Sequence, residues 1–145
     1  MTMNQNKQTA IPKNAVVVGL CAGRHDMPVD EFIFPMEVDP TDFEGMQHTV
    51  DEFLAARVGV HYAYGPRYNA VATDVEDDVE FFAGDHPLVV YVTGLTACVA
   101  AVISACAHNG IDLMLMHYDR ASGDYVPQVV LGDMQGWHEP IYPIF

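Results

Sequence analysis

Two patterns of apolar spacing alternate along the chain. The segments "AVVVGL" (15–20), "LVVYVTG" (88–94) and "IDLMLMHYD" (111–119) are continuous apolar runs, the pattern of strands covered on both faces. "EFIF" (31–34) is a shorter extended stretch. Between them, "PTDFEGMQHTVDEFLAARV" carries Phe43, Met46, Val50, Phe53, Leu54 and Arg57 at helical intervals, with Asp42, Asp51 and Glu52 on the other face. Thr41 and Glu44 have capping-box spacing, which predicts the start of that helix. A second helix follows Gly94. Leu95, Cys98, Val99, Val102, Ile103 and Cys106 share one side; Ala97, Ala100, Ala101, Ser104 and Ala105 form a small, barely polar other side. A helix apolar nearly all round is expected to be covered twice, and a second subunit is one possible cover.

Residues 59–87 read differently. "GVHYAYGPRYN" is rich in aromatics and turn formers, and "ATDVEDDVEFFAGDHP" places Val71, Val75, Val79 and Phe82 at spacings that predict a short helix, with Thr73 and Glu76 as its capping box. Asp74, Glu76, Asp77, Asp78 and Glu80 crowd it, the composition of a solvated face more than of a divalent-metal site, which needs ligands from several directions. After "IDLMLMHYD", the turn "RASGD" and the run "YVPQVVL" (125–131) predict an antiparallel return, with Pro127 placing it at a sheet edge or at the start of the strand. Strand and helix alternate, so the fold expected is α/β with a mainly parallel central sheet and a C-terminal antiparallel hairpin. One domain spans 15–131 with the acidic insertion 59–87. A loose tail, 1–14, precedes it. An apolar, proline-containing tail, 132–145, is expected to pack in extended form on the domain or a neighbour.

Charge narrows the partners. The chain has 145 residues, with 20 Asp and Glu against 6 Lys and Arg, a formal net charge of −14. Long nucleic acids and anionic membranes both require a basic face, so neither is expected as a partner. A small phosphorylated ligand needs only local donors. No run approaches the ~20 apolar residues of a membrane span, and the polar start "MTMNQNKQTAIPKN" lacks the apolar core of a signal peptide. Cys98 and Cys106, eight positions apart on one helix, stand about 12 Å apart along its axis, too far for a disulfide. Three cysteines without a signal peptide fit a reducing cytoplasm, and no CxxC or HxxxH spacing suggests zinc.

Open parallel sheets bind ligands beyond the carboxyl ends of their strands, where strand order reverses. The first strand leads there to Gly23, Arg24, His25 and Asp26, the second to Thr93, Gly94, Leu95 and Thr96, and the third to His117, Tyr118 and Arg120. Gly94-Leu95-Thr96 opens a helix, where unpaired N–H groups and the helix dipole favour an anion. The same tripeptide also serves as a plain strand-to-helix turn, and by itself it favours that reading about two to one. Arg24 and His25 can hold phosphate, and His25 can move protons near neutral pH; an Arg24–Asp26 surface pair is an equal alternative. His117, alternating with apolar residues, reads first as a hydrogen-bonded core histidine. Tyr118 can stack on a base or simply cover the core. Cys21 reads as a packing residue, since nothing in the sequence activates its thiol. There is no GxSxG, no HExxH and no paired-carboxylate signature.

The N-terminal apolar strand, "YVTGLTACVAAVISAC" and "LMLMHYDRASGDYVPQVVL" together resemble small CRISPR-ancillary proteins with a CARF-like Rossmann fold, over roughly 15–58 and 88–131. The resemblance implies a Rossmann-like three-layer sandwich and metal-independent binding of a cyclic oligoadenylate across a homodimer, sometimes with slow ring cleavage. It implies nucleotide contacts from Gly94, Leu95 and Thr96, with Arg24 and His25 opposite. The expected function is therefore to bind and sequester a cyclic nucleotide signal of antiviral defence, without a cofactor, as a phage-encoded relative would to blunt its host. A ring nuclease using His25, and a non-enzymatic protein-interaction module, are the alternatives. Two features depart from the family pattern: 59–87 has no counterpart in it, and Ala97 stands where the family places proline.

Overall fold

The computed structural model of the chain describes residues 11–24, 26–67 and 76–132. The expected tail ends, His25 and the middle of the 59–87 segment lie outside these residues. Among the described residues seven strands and two α-helices follow in the order β1 (Val16–Cys21), β2 (Phe32–Phe34), α1 (Phe43–Phe53), β3 (Val60–Arg67), β4 (Glu76–Gly84), β5 (Leu88–Tyr91), α2 (Thr96–Asn109), β6 (Leu113–Asp119) and β7 (Asp124–Leu131). A five-stranded sheet has the order β2-β1-β5-β6-β7, parallel except for β7, and β3 and β4 form a separate antiparallel pair.

The central strands lie where the apolar runs predict them because both of their faces are buried. On one face Val16, Val18, Leu20, Leu88, Val90, Leu113 and Leu115 meet Met46, Val50 and Leu54 of α1 and Cys98, Val102 and Cys106 of α2. The other face, with Val89, Tyr91, Met114 and Met116, is covered by Ile11, Met27, Val29 and Tyr125. Both described helices thus share one face; among the described residues the other face is covered by irregular chain and Tyr125 of β7, where a three-layer sandwich would carry further helices. Burying apolar side chains such as these from water supplies about 1.5–3 kcal/mol each, before conformational entropy is counted.

This layering gives every parallel crossover one hand. From β1 to β2 the chain steps outward in one direction by way of Met27 and Val29 on the second face. From β2 across β1 to β5, and from β5 to β6, it steps the other way with a helix on the first face. Reversing both direction and face preserves handedness, as the sterics of twisted strands require. Strand order therefore reverses between β1 and β5.

Three local expectations are corrected. The expected helix is not present where the chain is described: from Glu76 it is strand β4, with Tyr62 opposite Phe82 and Ala63 opposite Phe81, and 71–75 lie outside the described residues. Clustered acids repel along a helix, and the aromatic strand β3 offers cross-strand partners that an isolated short helix lacks. A Gly84 N–H to Gly110 carbonyl bond of 3.1 Å ties this pair to the end of α2. Gly110 ends α2 with φ +66°, and its Cα lies against the Phe82 carbonyl, so a side chain there would meet both strain and backbone. Second, α1 is capped by Asp42, whose Oδ1 accepts from the Gly45 N–H at 3.0 Å, and not by Thr41, which donates to Asp39. The helix then widens into a π-helical turn, Leu54–Val58, from which Arg57 holds Glu31 through two bonds of 2.6 and 2.8 Å. Third, His117 is no core residue: β6 runs past the covered part of the sheet, and His117 is exposed, with Nε2 2.6 Å from Gln128 Oε1.

Candidate functional site

The reversal between β1 and β5 brings two chain segments to the carboxyl edge of the sheet: Cys21 to Arg24, and Val92 to Thr96. Cys21, Thr93, Arg24 and Cys98 lie near one another there. Cys21 is completely buried at the end of β1, and Cys98 is completely buried in the first turn of α2. Burial pushes the Cys21 thiol above its ordinary range, while the Cys98 thiol, the Arg24 charge and the Thr93 hydroxyl oppose that push. Cys98 is pushed up to about 11, chiefly by burial and then by the neighbouring Cys21, with Arg24 again opposing. The Thr93 hydroxyl oxygen beside them is buried and makes no hydrogen bond to the described residues.

The start of α2 lacks the usual side-chain cap. Its N-cap is Leu95, whose carbonyl accepts from the Cys98 and Val99 N–H groups, and among the described residues no side chain bonds the first turn. The N–H groups of Thr96 and Ala97 are therefore left to solvent or to a ligand. Gly94 answers the question its position raises. It does not have positive φ, and a Cβ built on it would meet nothing within 4 Å. Neither strain nor crowding requires glycine in this turn; the residue leaves open space beside an uncapped helix of 14 residues. The dipole of such a helix places partial positive charge there. Arg24, exposed and in none of the ion pairs of the described residues, adds a full one.

The remaining expected residues lie further off. Gly23 takes φ +75° in the turn after β1, beside Met36. Tyr91 is the last β5 residue paired with β6, opposite Met116, so β6 overshoots by roughly 10 Å at about 3.3 Å per residue. Tyr118 lies on this overhang, half exposed, its ring edge-on to Tyr125 at 5.3 Å; Tyr125 in turn meets Tyr91 at 4.8 Å. Arg120 is exposed in the turn at the hairpin tip. The edge thus brings Arg24, Thr93, Gly94, Leu95 and Thr96 together, with Tyr118 and Arg120 on an arm beside them.

The proximity of Cys21 and Cys98 has no signal in the sequence, because residues so far apart in the chain come near each other only through the strand order. A depression of about 180 Å³ lies elsewhere, at the start of α1, and Glu37, Asp39 and Asp42 line it. Its charge repels phosphate. Among the described residues no three His, Cys, Asp or Glu side chains gather as a metal ligand set, and no helix is long and apolar enough to cross a membrane. Compared with known proteins, the chain matches no family model, no curated protein and no solved structure. The site is read from its own chemistry.

Proposed function

We propose that the chain binds and sequesters a cyclic oligonucleotide second messenger of antiviral defence on a Rossmann-like, CARF-like platform. The observation that carries this reading is the uncapped start of α2 at the reversal of strand order, with Gly94 open above it. A phosphate there accepts from the Thr96 and Ala97 N–H groups, lies at the positive end of the helix and is approached by Arg24. Local donors of this kind suffice even in a strongly acidic chain. The exposed Tyr118 ring offers a nucleobase a stacking face. A homodimer, with each copy contributing one such edge, suits a ring with more than one phosphate.

The test is to mix the full chain with cyclic oligoadenylates and cyclic dinucleotides, follow calorimetric heat, then denature and chromatograph the nucleotide. A sponge gives heat and returns intact ligand. Linear products would make it a ring nuclease. Absence of heat with every ligand at micromolar protein would remove the nucleotide reading. Excess absorbance near 260 nm in the purified protein offers a quicker check.

One observation favours the protein-interaction reading. The β3–β4 pair exposes Tyr62, Tyr64 and Phe82, the first two at 59% and 70%. That reading gains if Arg24→Ala and Thr96→Ala leave function intact while changing Tyr62 and Tyr64 together to Ser removes it.

A further inference from the structure

Side chains directly opposite each other in an antiparallel pair share one face, and every second residue along a strand returns to it. In β3–β4 this rule groups Tyr62 with Phe82 and Tyr64 with Glu80 on a single face. All four are exposed, Tyr64 most of the three rings at 70%. The Tyr62 and Phe82 rings meet edge to face at 5.1 Å, and the Tyr62 hydroxyl donates diagonally to Glu80 Oε1 at 2.6 Å. Phe82 also lies 6.3 Å from the His108 ring, and the Gly84 N–H bond to the Gly110 carbonyl holds this end of the pair against α2. The hairpin itself accounts for Tyr62 and Phe82, since cross-strand aromatic pairs stabilise such ribbons. It does not account for Tyr64 and Glu80. Among the described residues the Tyr64 side chain makes no ring contact or hydrogen bond, and Glu80 takes part in no ion pair.

We propose that this face of β3–β4 is a docking surface for an arginine side chain of a basic protein partner, the guanidinium lying over the Tyr62 and Tyr64 rings and donating to the Glu80 carboxylate. Charge complementarity selects this occupant. Ring faces beside a carboxylate that no cation neutralises attract positive charge, and a planar guanidinium stacks and forks at once where an ammonium is only a point charge. Tyr62 occupies one Glu80 oxygen and holds the carboxylate beside the rings, so less order is lost when the cation arrives. The sequence of β4 places Glu76, Asp77 and Asp78 just ahead of Glu80, in a chain of net charge −14. A basic segment is drawn to such a strand, while an equally acidic second copy or an anionic membrane is repelled. The proposal rests on the protein-interaction reading of this pair and gives it a partner chemistry. It is independent of nucleotide binding at the sheet edge.

The test follows the fluorescence anisotropy of short labelled peptides of alternating Arg-Gly, Lys-Gly or Glu-Gly as the full chain is added at physiological salt. The Arg-Gly peptide is expected to bind saturably, the Lys-Gly peptide several-fold more weakly, and the Glu-Gly peptide not at all. Changing Tyr62 and Tyr64 together to Ser weakens Arg-Gly binding about tenfold, and Glu80→Gln about fivefold. Tyr62→Phe, which keeps the ring, and Asp51→Asn, which removes an exposed charge on α1, stay within about twofold of wild type. If the double variant does not fold, Tyr64→Ser, which removes no described contact, decides in its place with Glu80→Gln. Equal weakening by Asp51→Asn and Glu80→Gln would reduce the effect to the general charge of the chain and overturn the proposal. Glu-Gly binding, or self-association seen by light scattering, that is lost in the tyrosine variants would overturn the arginine chemistry while leaving an interaction surface. A monomeric chain that binds none of the peptides would overturn both.

Discussion

The two helices begin in opposite ways. At α1 the chain supplies its own acceptors: Asp42 takes the Gly45 N–H, Asp39 takes the Thr41 N–H and hydroxyl, and Glu44 adds negative charge in the first turn. At α2 there is no side-chain cap and no acid in the first turn, a Cβ on Gly94 would meet nothing, and Arg24 is close enough to shift both cysteines beneath it. The first helix start is electrostatically complete; the second is complete only with an outside acceptor. One fold thus shows what a satisfied helix start looks like, and how the candidate site differs from it.

The strongest way to break this contrast is to give α2 the charge that α1 carries. Gly94→Asp projects a carboxylate into open space at the helix start. It is expected to leave the melting temperature near that of the wild-type chain and to weaken cyclic-nucleotide binding on the order of 100-fold by like-charge repulsion. A large fall in melting temperature would mean that Gly94 serves the turn after all. Arg24→Ala removes one charged contact and is expected to weaken binding about tenfold, equivalent to about 1.4 kcal/mol. Its binding should also vary less with salt, and a titration series from low to high ionic strength measures both effects.

Stability sharpens the same contrast from the other side. Asp42→Ala deletes the α1 cap and is expected to cost about 1 kcal/mol in urea unfolding without changing ligand affinity. Thr96→Ala removes a first-turn residue that caps nothing, and its stability should stay within about 0.5 kcal/mol of wild type. Equal losses from the two substitutions would erase the difference between the helix starts.

The smallest expected effect concerns the far end of α1. Hydrogen bonding from Arg57 holds the Glu31 carboxyl below its usual range. A group with a depressed folded pKa stabilises the fold above its unfolded value, here 4.5, and that contribution fades as pH falls through the lower folded value. Glu31→Gln should therefore lower the melting temperature slightly at pH 6, by an amount that shrinks as the pH falls below 4.5. The exposure of the pair keeps the difference small.

Much of the framework is legible in the sequence because strands buried on both faces leave continuous apolar runs, which β1, β5 and β6 do. The edge residues Arg24 and Thr93 to Thr96 are legible for the same reason: each directly follows such a run. The β3–β4 pair is not, since valines spaced by four fit one face of a helix, and only the partner strand opposite Phe81 and Phe82 decides against it. His117 misleads because alternation continues along β6 after its cover has ended. That Cys21 and Cys98 lie near each other requires knowing that β1 neighbours β5, a fact carried by topology and by no local pattern. Whether Gly94 serves the turn or leaves space is likewise invisible until its φ and surroundings are known.

The most direct test of the central claim is a calorimetric titration of the wild-type chain and Gly94→Asp, side by side, with cyclic oligoadenylates and cyclic dinucleotides. The account predicts saturable heat with at least one ligand for the wild-type chain and its loss in Gly94→Asp at unchanged melting temperature. Equal binding by both proteins, or none by either, would contradict it.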